Sequence, residues 1–260
     1  MSWENSTAVD SRFVAESDLA PHVEAWLQSI GSSCIGREVA VGFGIPDLVA
    51  GVGTRTSLRN RRRQARPILQ PLQLEVLEYC RKGRTELELR EWFDRSYADL
   101  NRRALRPLLE HQMLILRSGK FRARVSPKDP FERLVAVELK LSDVTRGLAQ
   151  AHAYRAFAES SYLALPAHRI SPDVTERARV IGVGLLAVHI GLVEVIVEPD
   201  GSSHATAKRR RMASERTLAA SAQGEHRVAG SPRRRQVSAP TQAARNPSPS
   251  PAMRVGGSAR

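Results

Sequence analysis

Cysteine and long apolar runs are scarce in this sequence, and each shortage excludes a class of protein. The 260 residues include only two cysteines, Cys34 and Cys80, too few for a disulfide framework or a four-cysteine zinc site. The most apolar run, residues 182–197, contains His189 and Glu194 and is too short to span a bilayer. The first residues carry neither a basic start nor an apolar stretch, so we expect no signal peptide and a cytoplasmic protein.

Positive charge is concentrated in the last part of the chain. The net charge is +13 overall. Residues 201–260 hold 12 lysines and arginines against 2 glutamates, whereas residues 1–200 hold 28 basic and 25 acidic groups. The folded part is therefore nearly neutral, and the overall charge alone does not identify a nucleic-acid-binding protein. We attribute the excess of 35 arginines over 5 lysines to genome base composition.

Residues 200–260 are predicted to form a disordered basic tail. They are rich in Ser, Ala, Pro, Gly and Arg and almost lack large apolar side chains, so burial cannot offset the entropy of the chain. Two roles remain open for this tail, a solvated extension and a non-specific tether to nucleic acid.

The rest of the chain predicts an α/β fold interrupted by an inserted module. A helical apolar pattern over residues 18–30 is followed by two short strand-like runs, residues 37–41 and 45–50. An Arg-rich linker at residues 53–67 leads to a middle block, and strands alternate with helices again over residues 131–199. With the middle block removed, this order is typical of a sheet flanked by helices.

The middle block, residues 68–125, predicts three helices and a hairpin. The helices begin at Pro71, at the capping box Thr85–Glu88 and at Ser96. A hairpin then turns at Ser118–Gly119. Three helices followed by a hairpin resemble a winged helix-turn-helix, a resemblance of architecture that no residue signature defines.

The strand predicted over residues 134–140 carries the clearest chemical signal. Side chains alternate along a strand, so Glu138 and Lys140 share one face. The residues before them are apolar, which places both charges at the edge of a core, where burial is costly unless something compensates them. A divalent cation and a phosphate would do so, and a lysine supplies a compact point charge beside them.

Asp47 is the natural second carboxylate of such a site. It follows Pro46, which favours an extended path, and leads into an apolar run. Two carboxylates on adjacent strands can hold Mg²⁺ (or Mn²⁺) while water and a substrate phosphate complete the coordination. The metal would activate water and stabilise the charge that develops in the transition state.

These residues resemble the PD-(D/E)xK superfamily of nucleases, which has the restriction-endonuclease-like fold. Pro46-Asp47 matches the first half of the motif, and Glu138-Leu139-Lys140 matches the second. Gln150 and Tyr154 have the Gln-x-x-x-Tyr spacing of the RecB-like branch, in which this pair lies near the metal. The resemblance implies metal binding by Asp47 and Glu138, a water-positioning or water-activating role for Lys140, and support from Gln150 and Tyr154.

The resemblance covers residues 16–52 and 131–199, which would form a discontinuous core. It also implies an extra acidic group, and Glu38 on the strand before Asp47 and Glu24 on the first helix are the candidates. The long span between the two halves departs from the pattern, but a folded insertion whose ends lie close together accounts for it at little cost.

Basic residues of the middle block are candidate DNA contacts. Arg102, Arg103 and Arg106 lie on the polar side of the third predicted helix, and Lys120 and Arg122 lie on the hairpin. A recognition helix and a wing would use such residues against phosphates and base edges. A solvated basic face and a protein-contact module are the competing interpretations.

The sequence thus predicts a Mg²⁺-dependent deoxyribonuclease whose inserted module helps to bind DNA. The alternative is a non-catalytic DNA-binding or regulatory protein that keeps the nuclease-like core as a scaffold. Glu138 and Lys140 would then form an ordinary ion pair, Asp47 would cap a turn, and Gln150 would be helix surface. The oligomeric state stays open.

Overall fold

A mixed six-stranded sheet flanked by helices organises the part of the chain that the computed structural model describes, residues 13–42, 44–53, 66–124, 129–201 and 204–229. This arrangement confirms the predicted α/β class. The strands are β1 Ser32–Arg37, β2 Leu48–Val52, β3 Leu114–Arg117, β4 Lys120–Ala123, β5 Arg133–Leu139, β6 Ser160–Pro166, β7 Gly184–His189 and β8 Leu192–Val197. The helices are α1 Ala20–Ser29, α2 Pro71–Tyr79, α3 Glu86–Phe93, α4 Tyr97–Leu100, α5 Arg106–Glu110, α6 Val144–Tyr154, α7 Pro172–Val180 and α8 Ala207–Ala229.

The main sheet combines antiparallel and parallel pairs in the order β1-β2-β5-β6-β7-β8. β5, β6 and β7 are parallel neighbours connected through α6 and α7, whereas β1, β2 and β8 pair in the antiparallel sense. The three central strands are buried along almost their whole length. Burial on both faces explains why they appear as continuous apolar runs in the sequence.

The two faces of β5 pack against different helices. Val135 and Val137 belong to an apolar cluster with Leu27 of α1, whereas Leu134 packs in a separate cluster with Tyr154 of α6. Because side chains alternate along a strand, Glu138 continues the face of Leu134 towards Tyr154.

The first strand does not lie where the sequence pattern predicts it. The pattern favours residues 37–41, but β1 ends at Arg37. Glu38 has φ 49°, a left-handed conformation through which an extended strand cannot continue. Val39 and Val41 are nevertheless buried against the core. Their burial in a loop produces the apolar pattern without a strand.

Residues 68–124 form the predicted helical block with its hairpin, and they have an apolar core of their own. Thr85 caps α3 through the predicted capping box. Its hydroxyl accepts a hydrogen bond from the Glu88 N–H, and the Glu88 carboxylate accepts one from the Thr85 N–H. β3 and β4 form the hairpin, and a bridge between Arg84 and Phe121 ties it to the chain between α2 and α3. The block lies between β2 and β5 along the chain.

The third helix of the block is continuous but irregular. α4 passes through a π-helical stretch, Asn101–Leu105, into α5. Pro107 lacks the N–H that would bond the carbonyl of Arg103, which disturbs the helix one turn earlier. The Gln73 side chain donates to that carbonyl instead, at 3.2 Å. The proline thus creates an acceptor through which α2 holds the third helix.

The expected disordered tail is wrong for residues 207–229, which form the long helix α8. Met212, Ala213 and Leu218 are buried, and α8 packs on β1. A Cβ at Gly36 of β1 would lie 3.0 Å from Ala220 Cβ, so small residues on both elements permit this close approach. Residues 230–260 of the predicted tail and residues 54–65 of the predicted linker lie outside the described residues.

α8 also contacts both the helical block and the sheet. Met212 joins the apolar core of the block, and the buried carboxylate of Glu215 accepts from the Ile68 N–H at 3.0 Å and from Arg211 at 3.2 Å. Arg210 bridges Asp129 and Glu159 at the base of the sheet. One helix therefore contacts both parts of the discontinuous fold.

Glu215→Ala should lower the free energy of unfolding by about 2 kcal/mol, because the substitution removes an acceptor from a buried N–H and a buried arginine. Urea denaturation of the two proteins measures the difference. Glu176→Ala breaks an exposed ion pair with Arg179 and should change stability by no more than about 0.5 kcal/mol. Equal stability of the Glu215 variant and the wild type would contradict the proposed role of α8.

Among the described helices, none combines the length and the apolar character needed to cross a membrane.

Candidate functional site

The pairing of β2 with β5 brings Asp47 to the Glu138 segment. Leu48 pairs with Val137, so one further step of the antiparallel register places Asp47 level with Glu138. Asp47 Oδ2 accepts a hydrogen bond of 2.7 Å from the backbone N–H of Leu139. Two carboxylates from distant parts of the chain therefore converge, as predicted, where β2 begins and β5 ends.

Glu138 is the centre of this cluster and is almost fully buried, with 2% of its surface exposed. Lys140 Nζ donates to Glu138 Oε1 at 2.7 Å, and the Tyr154 hydroxyl donates to Oε2 at 2.7 Å. Each carboxylate oxygen thus has one donor and retains a lone pair. The two bonds fix the plane of the carboxylate at the edge of the core.

The pKa of Asp47 is raised to about 6, with burial as the largest cause. The charges of Glu138 and Glu16 also raise this pKa, whereas the Leu139 N–H and the charge of Lys140 lower it. A buried carboxylate is normally stabilised by hydrogen-bond donors or positive charges beside it. Around Asp47, the acidic groups outnumber the one lysine, which leaves a local excess of negative charge. Such an excess favours a bound cation.

Lys140 and Tyr154 both keep their protons. Burial opposes the charge of Lys140, but the hydrogen bond and charge of Glu138 outweigh burial and raise the pKa of Lys140 above its usual value. Burial, followed by the hydrogen bond to Glu138, also raises the pKa of Tyr154. Lys140 is therefore a cation in this arrangement and Tyr154 is a neutral donor.

Two glycines allow neighbouring backbone to approach the cluster closely. A Cβ at Gly147 of α6 would lie 2.9 Å from Lys140 Cγ and 2.7 Å from Leu163 Cδ1. A Cβ at Gly44, where φ is +123°, would lie 3.1 Å from the Tyr154 ring. Larger residues at either position would displace the side chains that hold Glu138.

Gln150 lies beside Tyr154, as the predicted spacing on one helix requires. Its side chain forms a hydrogen bond that lowers the pKa of Tyr154, against the larger effects of burial and Glu138. Gln150 Oε1 is buried and accepts no hydrogen bond from the described residues. A buried oxygen without a hydrogen-bond donor, on a residue that contacts Tyr154, is suited to a cation or to a polar group of a substrate.

A third acidic residue, Glu16, comes from a place that the sequence pattern does not indicate. It lies in the 3₁₀ turn before α1, and its carboxylate is 3.5 Å from Lys140 Nζ. The expected acidic residues do not join the cluster. Glu24 forms two hydrogen bonds with Arg37, and the side chain of Glu38 is exposed.

Asp47 and Glu138 are the two carboxylates of the cluster that could hold a metal ion. Among the described residues there is no group of three Asp, Glu, His or Cys side chains arranged to hold a metal ion. Mg²⁺ is commonly held by only one or two carboxylates, with water and substrate phosphates as its remaining ligands. Asp47 and Glu138 supply two carboxylates, and Gln150, which contacts Tyr154, supplies a neutral oxygen that has no partner among the described residues.

The candidate DNA contacts of the third helix lie on the surface, where they share acidic partners. Arg102 and Arg103 both pair with Asp99, and Arg106 pairs with Glu110. Arg95 also pairs with Asp99, so three arginines surround one carboxylate. A cavity of about 580 Å³ opens between this cluster and the start of α2. The face retains excess positive charge.

Lys120 and Arg122 are exposed on β4 of the hairpin. Neither forms an ion pair with another residue in the described part of the chain. The hairpin therefore presents charges that remain available to an anionic partner.

Comparisons of the chain with protein-family models, with curated proteins and with solved structures find no match. Fold alone does not determine function. A functional assignment therefore depends on the chemistry of the cluster around Glu138.

Proposed function

We propose that the protein is a metal-dependent nuclease of the PD-(D/E)xK type that hydrolyses phosphodiester bonds in DNA. The observation that supports this proposal is the convergence of Asp47, Glu138 and Lys140 at one end of β2 and β5, with Asp47 bound to the N–H of the residue between the other two. Two carboxylates and a lysine at one point suit phosphodiester chemistry, because phosphate, metal and water all require charged partners.

Each side chain has a defined role in this proposal. Asp47 and Glu138 would hold Mg²⁺ or Mn²⁺, which when bound polarises the phosphate and lowers the pKa of water. Lys140, which stays protonated, orients the water or the phosphate as a fixed cation. Tyr154 and Gln150 are positioning residues, since Tyr154 holds Glu138 and Gln150 contacts Tyr154.

We further propose that the helical block docks the DNA as a winged helix-turn-helix. Its element order of three helices and a hairpin supports this assignment, as does the exposure of Arg102, Arg106, Lys120 and Arg122. Phosphate contacts from such residues would orient the duplex without reading its sequence.

Replacing Arg102, Arg103 and Arg106 together by alanine should weaken binding to duplex DNA similarly for all sequences. It should also lower the slope of log K against log salt by about one for each lost phosphate contact. Fluorescence anisotropy over a range of salt concentrations measures both effects. Arg179→Ala, at an exposed arginine of α7, is the control. An unchanged slope in the triple variant would exclude the third helix from the interface.

Incubation of the purified protein with supercoiled, linear, single-stranded and mismatched DNA in Mg²⁺ or Mn²⁺ tests the proposed activity. The expected result is cleavage that EDTA abolishes. The alternative is a DNA-binding protein without catalysis, favoured by the basic helical block. It predicts salt-sensitive binding that survives Asp47→Ala, with no cleavage under any of these conditions.

A further inference from the structure

An exposed tryptophan lies on an aromatic stack in the helical block. Trp92 of α3 is 67% exposed although it is a large apolar residue. Its ring is stacked on Tyr79 of α2, with centroids 4.6 Å apart and planes 15° apart. The Arg84 guanidinium also lies over the Tyr79 ring, 4.3 Å from its centroid.

The stack fixes the orientation of Trp92 before any ligand arrives. Phe93 meets the edge of Tyr79 at 85°, so the Tyr79 ring is held by three neighbours. Because Trp92 stacks in parallel on the Tyr79 ring, the orientation of its own ring is also fixed. Most of the Trp92 surface nevertheless remains exposed to solvent. Binding of a planar ligand to the exposed face of Trp92 would therefore cost the protein little additional side-chain entropy.

Unpaired positive charge lies next to the aromatic stack. A Cβ at Gly83 would lie 3.6 Å from Arg122 Nε and 3.9 Å from Lys120 Cβ, and Lys82 precedes it. Lys82, Lys120 and Arg122 have no acidic partner among the described residues, whereas Arg84 pairs with Glu88. The patch formed by Trp92, Tyr79 and these three cations combines a planar platform with net positive charge.

We propose that this patch binds a single strand of DNA, with an unpaired base stacked on Trp92 and the neighbouring phosphates beside Lys82, Lys120 and Arg122. The proposal rests on the proposed action on DNA and narrows the substrate to DNA that contains unpaired bases. Stacking does not discriminate between bases, since every base has a flat face. The three cations would contact the phosphates of the strand. An apolar protein partner would use Trp92 but would not require the three cations.

Anisotropy with a labelled oligo-deoxythymidine in EDTA tests the proposal, because binding is then measured without cleavage. Trp92→Ala should weaken binding by about tenfold or more, the loss expected for one base stack. Trp92→Phe keeps an aromatic ring and should recover part of the affinity. Leu87→Ala, at a residue of the same helix that is 61% exposed, should bind like the wild type.

A chain of abasic deoxyribose phosphates of the same length separates stacking from charge. Its affinity should be nearly the same for the wild type and Trp92→Ala. The proposal is overturned if Trp92→Ala binds oligo-deoxythymidine as well as the wild type does, or if it loses the same factor on the abasic chain. Either result leaves the nuclease proposal intact, and Trp92-dependent binding without any cleavage would support this proposal alone.

Discussion

Lys140→Ala should lower the rate of Mg²⁺-dependent DNA cleavage by about a thousandfold, the effect of removing one preorganised charge from a reacting centre. The Lys140 side chain is only 12% exposed, and its ammonium contacts Glu138 and Glu16. Removal leaves Glu138 without its cationic partner and the reacting phosphate without a fixed positive charge. Cleavage of a labelled duplex that carries a single-stranded extension, at saturating Mg²⁺, measures the loss.

Lys140→Arg tests whether the site needs any cation or this particular one. The Lys140 stem passes Gly147 so closely that a Cβ there would lie 2.9 Å from Lys140 Cγ. A guanidinium is larger and planar, and it cannot replace a compact ammonium in that space. We therefore expect Lys140→Arg to remain at least about tenfold below the wild type.

Lys208→Ala is the matched control, because Lys208 is an exposed lysine that pairs with Glu75 outside the cluster. It should cleave like the wild type. Equal cleavage by the wild type and Lys140→Ala would indicate a contaminating nuclease and would remove the proposed mechanism.

Local pattern was sufficient to predict the Glu138 strand. The alternation of side chains placed Glu138 and Lys140 on one face, and the structure joins them at 2.7 Å. Spacing on a helix likewise placed Gln150 and Tyr154 on one side of α6. These predictions succeed because each depends on a single element with a fixed period.

The position of Asp47 beside Glu138 depends on strand register, which spacing along the chain does not determine. Two other arguments suggested this pairing: a metal site beside Glu138 needs a second carboxylate, and the motif resembles that of a nuclease family. Glu16 illustrates the limit, since an acidic residue in a turn before a helix has no periodic signal. The same resemblance suggested Glu24, but Arg37 binds that carboxylate instead.

α8 was missed because small and polar residues make up most of its buried face, beside only two large apolar side chains, Met212 and Leu218. Ala213, Ser214 and Thr217 are fully buried, as is Glu215. None of them raises the apolar content of the segment, and the surrounding arginines resemble a solvated tail. Glu215 is satisfied by Ile68 N–H and Arg211, contacts that only the folded chain supplies.

Asp47→Asn should abolish most metal-dependent cleavage and yet stabilise the protein at neutral pH. The amide cannot supply the negative charge that a divalent cation needs, so we expect the cleavage rate to fall by about a thousandfold. Burial, with Glu138 and Glu16 nearby, raises the pKa of Asp47 to about 6. An asparagine avoids that unfavourable charge and can still accept from the Leu139 N–H.

The sign of the pH dependence follows from the raised pKa of an acid. The folded protein binds the Asp47 proton more tightly than the unfolded chain does, so this group stabilises the fold at low pH and the benefit is lost as the pH rises through about 6. Asp47→Asn should therefore be more stable than the wild type by about 1 kcal/mol above pH 7, after allowance for solvent screening of a partly exposed group. The two proteins should converge below about pH 4.

Urea denaturation with and without Mg²⁺ distinguishes two effects of the Asp47 charge: destabilisation of the metal-free fold and binding of the cation. Mg²⁺ should raise the stability of the wild type at neutral pH and leave Asp47→Asn unchanged, because a ligand stabilises only the state that binds it. Asp173→Asn, at an exposed aspartate of α7, should respond to Mg²⁺ like the wild type. If metal-free Asp47→Asn is less stable than the wild type at neutral pH, the Asp47 carboxylate stabilises the fold. If Mg²⁺ still stabilises that variant, the cation binds elsewhere.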